Sequence, residues 1–539
     1  MNQHSKMSRG RYLLTLIVPA FVAFVWLSPL SFVPVPWPDD SAFYFVAHEL
    51  FKWPPRWVML PQAPFEPTYA IFNFNTMPLY PILIGLGRLV GIDGSYLIKF
   101  WPLAAWAVLG VSISLVILRR LPGILVPLLL ITPFALDPAI GWASVLVRPE
   151  SLIAFFGLLL VTGLSFGFPE RFKPRKLWDP VAFLLAIAAY AHFNAIHLLF
   201  PVVAVFITAP KRLVSIAWKA LLYLAPWLLL VLWHFDLFVK QMKTQWSRLS
   251  IKNTWLDSFS GALTDLFQQL GNPELWPPII YWVSLAIWLL IIFAVVILVL
   301  TLVQKLILSR KYTTSELEKL APSAAWVVGA VWLWDSKPEA WFVYYIHVAV
   351  WTFAAVLSIW LFQKRRLKLH YLLTGFLVPI ITIFLIVDVS HAIKLGKSDS
   401  WKWSTYYDFV DCVDNKLTEL EAKLKPAEFK VWCPTFPDIT IELSRRHPNW
   451  QLTRTNDFVE REALALDHGR NVEAVVVTET LGWSERNLSA PAEEYPEIKS
   501  IWMTWKPYFL YKLWTEKGWK PNRFICQRGR WQAFMFMKD

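Results

Sequence analysis

Cysteine is scarce in this 539-residue chain: Cys412, Cys433 and Cys526 are its only three, and all lie toward the C-terminus. No CxxC pair and no metal-ligand spacing links them. That excludes zinc-ribbon and dithiol redox motifs and leaves room for one disulfide with one thiol over. Charge is also sparse, at 17% of residues. Internal repeats and low-complexity segments are missing, which counts against the repeat-built architecture of many transporters. The C-terminal part has no glycine-rich phosphate loop, so it lacks the usual cradle for a nucleotide.

What fills the chain is apolar. Hydrophobic residues make up 56% of it, 32 of them Trp, and the mean hydropathy is +0.43. No soluble domain of this size needs so much apolar surface. Apolar runs fall at roughly 12–34, 96–118, 121–136, 149–168, 180–192, 195–209, 213–235, 278–304, 321–334, 343–362 and 370–392. Eleven such runs predict an all-α polytopic membrane domain, although several are shorter than the ~20 residues of a full crossing. Short spans are expected where helices break around a cavity. Trp at this density suits interfacial belts and a binding cavity, the belt being the simpler reading.

Charge tests this topology. The net charge is +13. From residue 393 onward there are 22 Lys and Arg against 21 Asp and Glu; before it, 30 against 18. The excess belongs to the membrane portion and reads as positive-inside loops, not as a nucleic-acid footprint. With the N-terminus cytoplasmic, every alternate loop is basic: Arg119-Arg120, then PERFKPRK, then Lys211-Arg212. Lys305, Arg310, Lys311 and Lys319 follow, and then QKRRLK. The opposite loops, 35–95 and 236–277, carry mixed charge. The N-terminal run is too long for a cleaved signal and reads as an uncleaved anchor. Residues 78–94 contain Arg88 and Asp93 and read as an outer interfacial or re-entrant helix, since counting them as a span reverses all later loops.

The expected division is a membrane domain over 1–392 and a small soluble α/β domain over 393–539 on the outer face. In the latter FKVWCP and EAVVVTET read as strands, and DITIELSRRH and DFVEREALALDHG as helices. The loop 236–277 reads as a cover for the cavity that orders when a ligand binds. The predicted location is the plasma (inner) membrane, crossed many times, with the C-terminal domain outside.

This topology gathers Asp39, Asp40, His48, Glu49, Arg148, Glu150, His192, His197, Lys337 and Glu339 at or near the outer face. Ionisable groups at a membrane edge are costly, so each calls for a functional hypothesis. Carboxylates mixed with cations suit a site that holds an anionic lipid head group and activates a nucleophile. Asp39-Asp40 stand in WPDDSAFYFVAHEL, residues 37–50. They have two readings: a hydrated helix cap, or a general base with a charge or metal partner.

DDSAFYFVAHEL resembles the acidic first-loop motif, DE-x-x-Y-x-x-x-A-R-E-M/L, of the GT-C glycosyltransferases. The lipid A aminoarabinose transferases and protein O-mannosyltransferases carry it. The match runs through Asp39, Asp40, Ala47 and Glu49, with Phe43 in the aromatic place. NTMPLYPILIGLGRLVG resembles the family's K-P-P-L-Y-Y-W segment through Pro78, Leu79 and Tyr80. VLVRPESLIAFFGLLL resembles its A-R-P-E helix start, and YAHFNAIHLLFP its T-H-x-N-G-L-L-x-x-P hairpin. DSKPEAWFVYYIHVAV resembles its late outer loop. The likeness covers about residues 12–365 in the family's order. The sequence departs from the motifs at Asp40 (commonly Glu), Phe43 (Tyr) and His48 (Arg). The Lys before Pro-Leu-Tyr is missing, and Asn73, Asn75 and Thr76 occupy its region. These departures weaken transfer of any one member's substrate or metal.

The resemblance implies a sugar moved from a polyprenyl-phosphate or polyprenyl-diphosphate carrier to an acceptor hydroxyl at the outer face, usually with inversion. The acceptor could be lipid, polysaccharide or protein. By the same resemblance Asp39 is the general base, and Asp40 a supporting carboxylate or a ligand of a divalent metal ion. Metal use varies in the superfamily, so the cofactor stays open. Arg148, Lys337 and His192 are the candidates for the donor phosphate. Arg148 reads equally as an interfacial anchor, Lys337 as a solvated loop lysine, and His192 as a polar turn residue. Glu49, Tyr80, Glu150, Asn194, His197, Tyr344 and Tyr345 are the expected cavity residues, with Tyr344 and Tyr345 also fitting an aromatic belt. Trp332, Trp334 and Trp341 either stack on a sugar or belong to that belt. Two other functions fit the charges: a flippase for polyprenyl-linked sugars, and a non-catalytic membrane sensor.

Overall fold

A computed structural model describes residues 38–58, 71–141, 149–246, 276–306, 317–336, 343–396, 403–433, 438–454, 472–480 and 520–537, apart from isolated positions. The chain divides into two compact units. One comprises Met1–Leu30, Met77–Leu79 and Pro102–Lys394, and the other Ser31–Thr76, Tyr80–Trp101 and Leu395–Asp539.

The first unit is helical. Its helices are α3 (Ser95–Arg120, begun in the other unit), α4 (Leu125–Leu136), α5 (Glu150–Phe166), α6 (Pro180–Ala191), α7 (Leu199–Phe206) and α8 (Pro210–Trp233). They continue as α9 (Phe235–Trp246), α10 (Trp276–Leu306), α11 (Ala321–Ser336), α12 (Val343–Gln363) and α13 (Leu367–Gly396). Among the described residues, five stretches are long and apolar enough to cross a bilayer: Phe100–Arg120, Pro210–Trp233, Leu285–Lys305, Val343–Gln363 and Leu367–Ile386. Shorter apolar helices, such as α4, α5 and α6, stand where the sequence shows short runs. The run 12–34 lies outside the described residues.

Burial ranks these helices. Over its spanning window α12 is 89% buried, whereas α8 is 11% buried although both are apolar. A helix apolar on all sides and packed on all sides is central; α12 contacts α4, α5, α10 and α11. An apolar helix left uncovered is matched to lipid, which demands no polar face. Loop charges on this unit also have structural work. Asp179 caps α6, its Oδ1 accepting from Val181 N at 3.0 Å, and its Oδ2 pairs with Arg212 at 2.7 Å. Lys305 donates to the carbonyls of Ala204 and Val205 at 3.3 and 2.9 Å, where α7 ends and carbonyls lack helical partners.

The second unit holds α1 (Pro38–Leu50), α2 (Leu79–Leu89, entered from the first unit), α14 (Trp403–Leu424) and α15 (Thr440–Arg446). Its strands are β1 (Lys430–Cys433), β2 (Gln451–Arg454), β3 (Ala474–Thr480), β4 (Lys520–Arg528) and β5 (Trp531–Met537). They form one mixed sheet in the order β2-β1-β3-β5-β4. β1 pairs parallel with β2 and β3, while β5 pairs antiparallel with β3 and β4. The parallel β1–β2 pair needs a crossover, and α15 supplies it. The tight β4–β5 turn uses Gly529 at φ +55°, a region that favours glycine. The segments read as strands at 430–433 and 474–480, and as a helix at 440–446, have those conformations. DFVEREALALDHG lies outside the described residues. α2, with 11 residues, rises about 16 Å and is too short to cross a bilayer alone.

Arg446 shows how this unit is tied together. Burial lowers its pKa, but hydrogen bonds to Asp414 and Asp411 of α14 outweigh that and raise it. A disulfide joins Cys412 of α14 to Cys526 of β4, 114 residues apart. Cys433 is free and buried; burial, with the nearby Asp438 adding to it, pushes its thiol well above the ordinary value. Cys412→Ser is expected to cost about 2–5 kcal/mol, the usual range for a native disulfide. In the folded wild-type protein a maleimide should label none of the three cysteines without reductant. Labelling of native Cys433 at mildly alkaline pH would contradict its burial.

Candidate active site

The expected base lies in the second unit. α1 begins at Pro38, so Asp39 and Asp40 occupy its first turn. Proline at a helix start forgoes no hydrogen bond, and acids there meet the positive end of the helix dipole. The acids are therefore first-turn residues and not the cap the sequence suggested, a place that leaves a role as base open. At 3.6 residues per turn, position 39 stands over 43, and position 40 over 44 and, less closely, 48.

Both stripes are clamped by α2. Phe43 is buried and packs edge-on against Tyr80, with ring centroids 4.9 Å apart. Tyr44 stacks with His48 at 6.3 Å, and the Arg88 guanidinium lies 5.5 Å above the Tyr44 ring. Arg88 also contacts His48 Nδ1. The arginine that marked 78–94 as non-spanning thus holds the helix that carries the acids, on the stripe of position 40. α1 also packs on α15. Glu49 is buried and accepts from Lys52 Nζ at 2.5 Å, so the structure gives this expected cavity residue a local ion pair. Tyr80 is fully buried.

In the region without the family's lysine, buried Asn73 and Thr76 join each other instead. Asn73 Nδ2 donates to Thr76 Oγ1 at 3.0 Å, and Trp57 Nε1 donates to the Asn73 carbonyl at 2.7 Å. Among the described residues, neutral hydrogen bonds join the side chains in this place.

The remaining described candidates lie in the first unit. Glu150 opens α5 and is buried. A 3-10 turn, Phe193–Leu198, follows α6. His192 caps it, its Nδ1 accepting from Asn194 N at 3.1 Å. The Asn194 carbonyl lies 2.5 Å from His197 Nδ1. His197 is fully buried, with its ring 4.8 Å from that of Tyr345. Tyr344 and Tyr345 are buried in the first turn of α12. The structure therefore brings His192, Asn194, His197 and Tyr345 together, and buries the two tyrosines within the unit. Trp334 is buried, while Trp332 is partly exposed against Phe200. Arg148, Lys337, Glu339, Trp341, Asn75 and the loop 247–275 lie outside the described residues, as do the side chains of Asp39 and Asp40.

Two glycines make this packing close. A Cβ on Gly329 of α11 would lie 2.6 Å from the His197 carbonyl oxygen, and one on Gly157 of α5 would lie 2.7 Å from Trp326. Small residues let membrane helices approach. Gly329→Ala pushes against backbone and is expected to destabilise by about 1–3 kcal/mol, read as a lower melting temperature in detergent. An unchanged melting temperature would show that the turn can yield.

A buried polar cluster escapes sequence reading. Asp137 follows α4 directly, and His347 and Trp351 stand on one stripe of α12. Asp137 Oδ2 accepts from His347 Nδ1 and from Trp351 Nε1, each at 2.6 Å. Its Oδ1 accepts from the Ala139 and Ile140 amides at 2.8 and 3.4 Å. All three side chains are at most 1% exposed. The partners are 210 residues apart in the chain, so no spacing reveals them. An acid at the end of one apolar run and a histidine inside another were the available signal.

Among the described residues no group of three His, Cys, Asp or Glu could hold a metal ion.

No family model matches this chain, and no curated protein matches it. Solved structures do. The apo state of ArnT from Cupriavidus metallidurans matches at 12% identity and a TM-score of 0.43, over 98% of both chains. ArnT from the same organism bound to undecaprenyl phosphate matches at 11% identity and a TM-score of 0.52, again over 98% of both chains. The chain thus shares, from end to end, the fold of that ArnT structure.

Proposed function

We propose that this protein is an integral-membrane glycosyltransferase of the GT-C type. It moves a sugar from a polyprenyl-phosphate or polyprenyl-diphosphate donor to an acceptor hydroxyl at the outer membrane face, with inversion. The observation that carries this reading is the end-to-end likeness to an ArnT structure that holds undecaprenyl phosphate. The order of the acidic, Pro-Leu-Tyr and Arg-Pro-Glu motifs supports it independently. The same likeness favours an enzyme over a flippase or a sensor.

In this reading Asp39 takes the proton of the acceptor hydroxyl as its oxygen attacks the anomeric carbon. The bond from that carbon to the phosphate oxygen breaks, and its electron pair leaves with the lipid phosphate. Arg148, Lys337 and His192 are the groups assigned to the growing phosphate charge. Asp40 supports Asp39, and the clamp of α2 on α1 keeps the first turn of α1 in place. In this reading residues 1–392 form the membrane catalytic domain and 393–539 the outer α/β domain, although Ser31–Thr76 and Tyr80–Trp101 group with the latter in one compact unit. The Cys412–Cys526 disulfide supports an oxidising, outer location for the latter.

The test pairs binding with product. Protein in lipid nanodiscs is expected to bind undecaprenyl phosphate, measured by native mass spectrometry. Cells without the protein are expected to lose one sugar substituent from their surface glycans or lipids. Absence of both effects would remove the basis for the proposal.

A further inference from the structure

We propose that His347, oriented by Asp137, binds a hydroxyl of the sugar carried by the lipid donor; this rests on the glycosyl-transfer reading above. His347 is a buried residue of the second turn of α12, 1% exposed. Its Nδ1 faces Asp137 Oδ2 at 2.6 Å. A carboxylate in this position only accepts, so Nδ1 carries the hydrogen, and the same oxygen also takes the Trp351 indole. The second oxygen takes two backbone amides. Asp137 is thus fully used, and it sets both the tautomer and the tilt of the imidazole, as the carboxylate of an Asp-His pair does.

The other ring nitrogen is the informative one. Nε2 of His347 is buried and has no hydrogen-bond partner. Buried polar atoms in folded proteins are nearly always partnered. A strut between α4 and α12 needs only the Nδ1 side of the ring, a role a shorter amide could fill. An oriented imidazole with its far edge unused is built to meet something else.

Its place in the bundle agrees. Asp137 ends α4, and His347 lies near the start of α12. Tyr345, just before it, touches His197 in the turn after α6. These residues share one end of the first unit, the end that charge topology assigns to the outer face. The chemistry of the partner follows from Nε2. A hydroxyl both donates and accepts, so it pairs with a neutral ring or a charged one. A phosphate oxygen pairs only with the charged ring. In a lipid-linked donor, the sugar supplies hydroxyls.

His347→Asn separates the two edges of the ring. Its amide nitrogen stands where Nδ1 stood and keeps the bond to Asp137, while nothing replaces Nε2. The probes are undecaprenyl phosphate and undecaprenyl phosphate carrying mannose, glucose or 4-amino-4-deoxyarabinose, titrated against the full chain in nanodiscs. In the wild type one of the sugar-bearing lipids should bind more tightly than the bare lipid. In His347→Asn that lipid should weaken by about tenfold, the worth of one hydrogen bond, with bare-lipid affinity and melting temperature kept. His347→Gln, which puts its amide near the Nε2 position, should keep the preference for the sugar and lose thermal stability. That second variant decides the matter if His347→Asn does not fold.

Equal loss for both lipids, or no loss, would overturn the role of His347; the latter result points to a buried water as the partner of Nε2. The role falls too if no sugar improves binding to the wild type. If the wild type binds none of these lipids, the donor assignment itself fails. If binding depends on His347 but Asp39→Asn transfers normally, only the base assignment fails.

Discussion

Asp39→Asn should abolish sugar transfer while leaving the protein in the membrane at its normal level. A positioned general base contributes roughly 10²–10⁴-fold to such a reaction, and asparagine cannot take the proton. Because Asp39 lies in the first turn of α1, after Pro38, the change loses only a favourable helix-dipole contact of about 0.3–1 kcal/mol, and α1 should survive it. Undecaprenyl phosphate binding should persist, since Asp39 acts on the acceptor and not on the lipid. The measurement is the glycan or lipid product by mass spectrometry, with protein quantified in the same membranes. Full transfer by the variant would remove Asp39 from the mechanism. Asp40→Asn should do less, in keeping with a supporting role. Loss of transfer only at position 40 would exchange the two assignments.

The second large effect is on stability. Asp137→Ala removes an acceptor shared by four N–H donors, two of them on side chains that are at most 1% exposed. None of the stranded groups can reach water. Leaving a buried donor without its acceptor costs about 1–3 kcal/mol for each stranded group. The expected result is a sharply lower melting temperature in detergent, or failure to accumulate in the membrane. Asp137→Asn keeps the shape but replaces one acceptor with a donor, which would confront either the His347 and Trp351 donors or the two amides. It should fall between alanine and the wild type. A melting temperature unchanged in Asp137→Ala would mean that the cluster contributes nothing to the fold, and would weaken the orientation argued for His347.

Several structural features were legible as pattern. Long apolar runs and basic alternate loops require only counting, because the bilayer sets helix length and lysine and arginine set orientation. In the strand AVVVTET, Val475 to Thr478 form an unbroken β-branched run. Arg88 and Asp93 marked 78–94 as unsuited to spanning, and the helix found there has 11 residues. The sequence also located WPDDSAFYFVAHEL and, through its family resemblance, attached a role to Asp39.

Other features depend on partners brought from far along the chain. His192 and His197 look alike as polar turn residues, and sequence reading preferred His192 for phosphate contact. The structure shows His192 as the cap of the 3-10 turn and His197 as the buried ring against Tyr345. Nothing in the spacing of YAHFNAIHLLFP separates them, since the difference arises from α12, about 150 residues later. Arg88 is a similar case. From sequence it was only a charge that spoiled a span, yet it is the residue that grips Tyr44 and His48.

The sequence alone therefore determined that this is a polytopic membrane protein, where its apolar runs lie, and which short stretch holds the acids. Those properties come from local composition acting against one solvent, the bilayer. Only the tertiary structure decided that α12 is buried on all sides and α8 largely uncovered, though both are mainly apolar. It alone joined Asp137 to His347, and Cys412 rather than Cys433 to Cys526. Burial and hydrogen bonding between distant segments depend on which helices become neighbours, and that choice is made by packing over the whole chain, not by any window of residues.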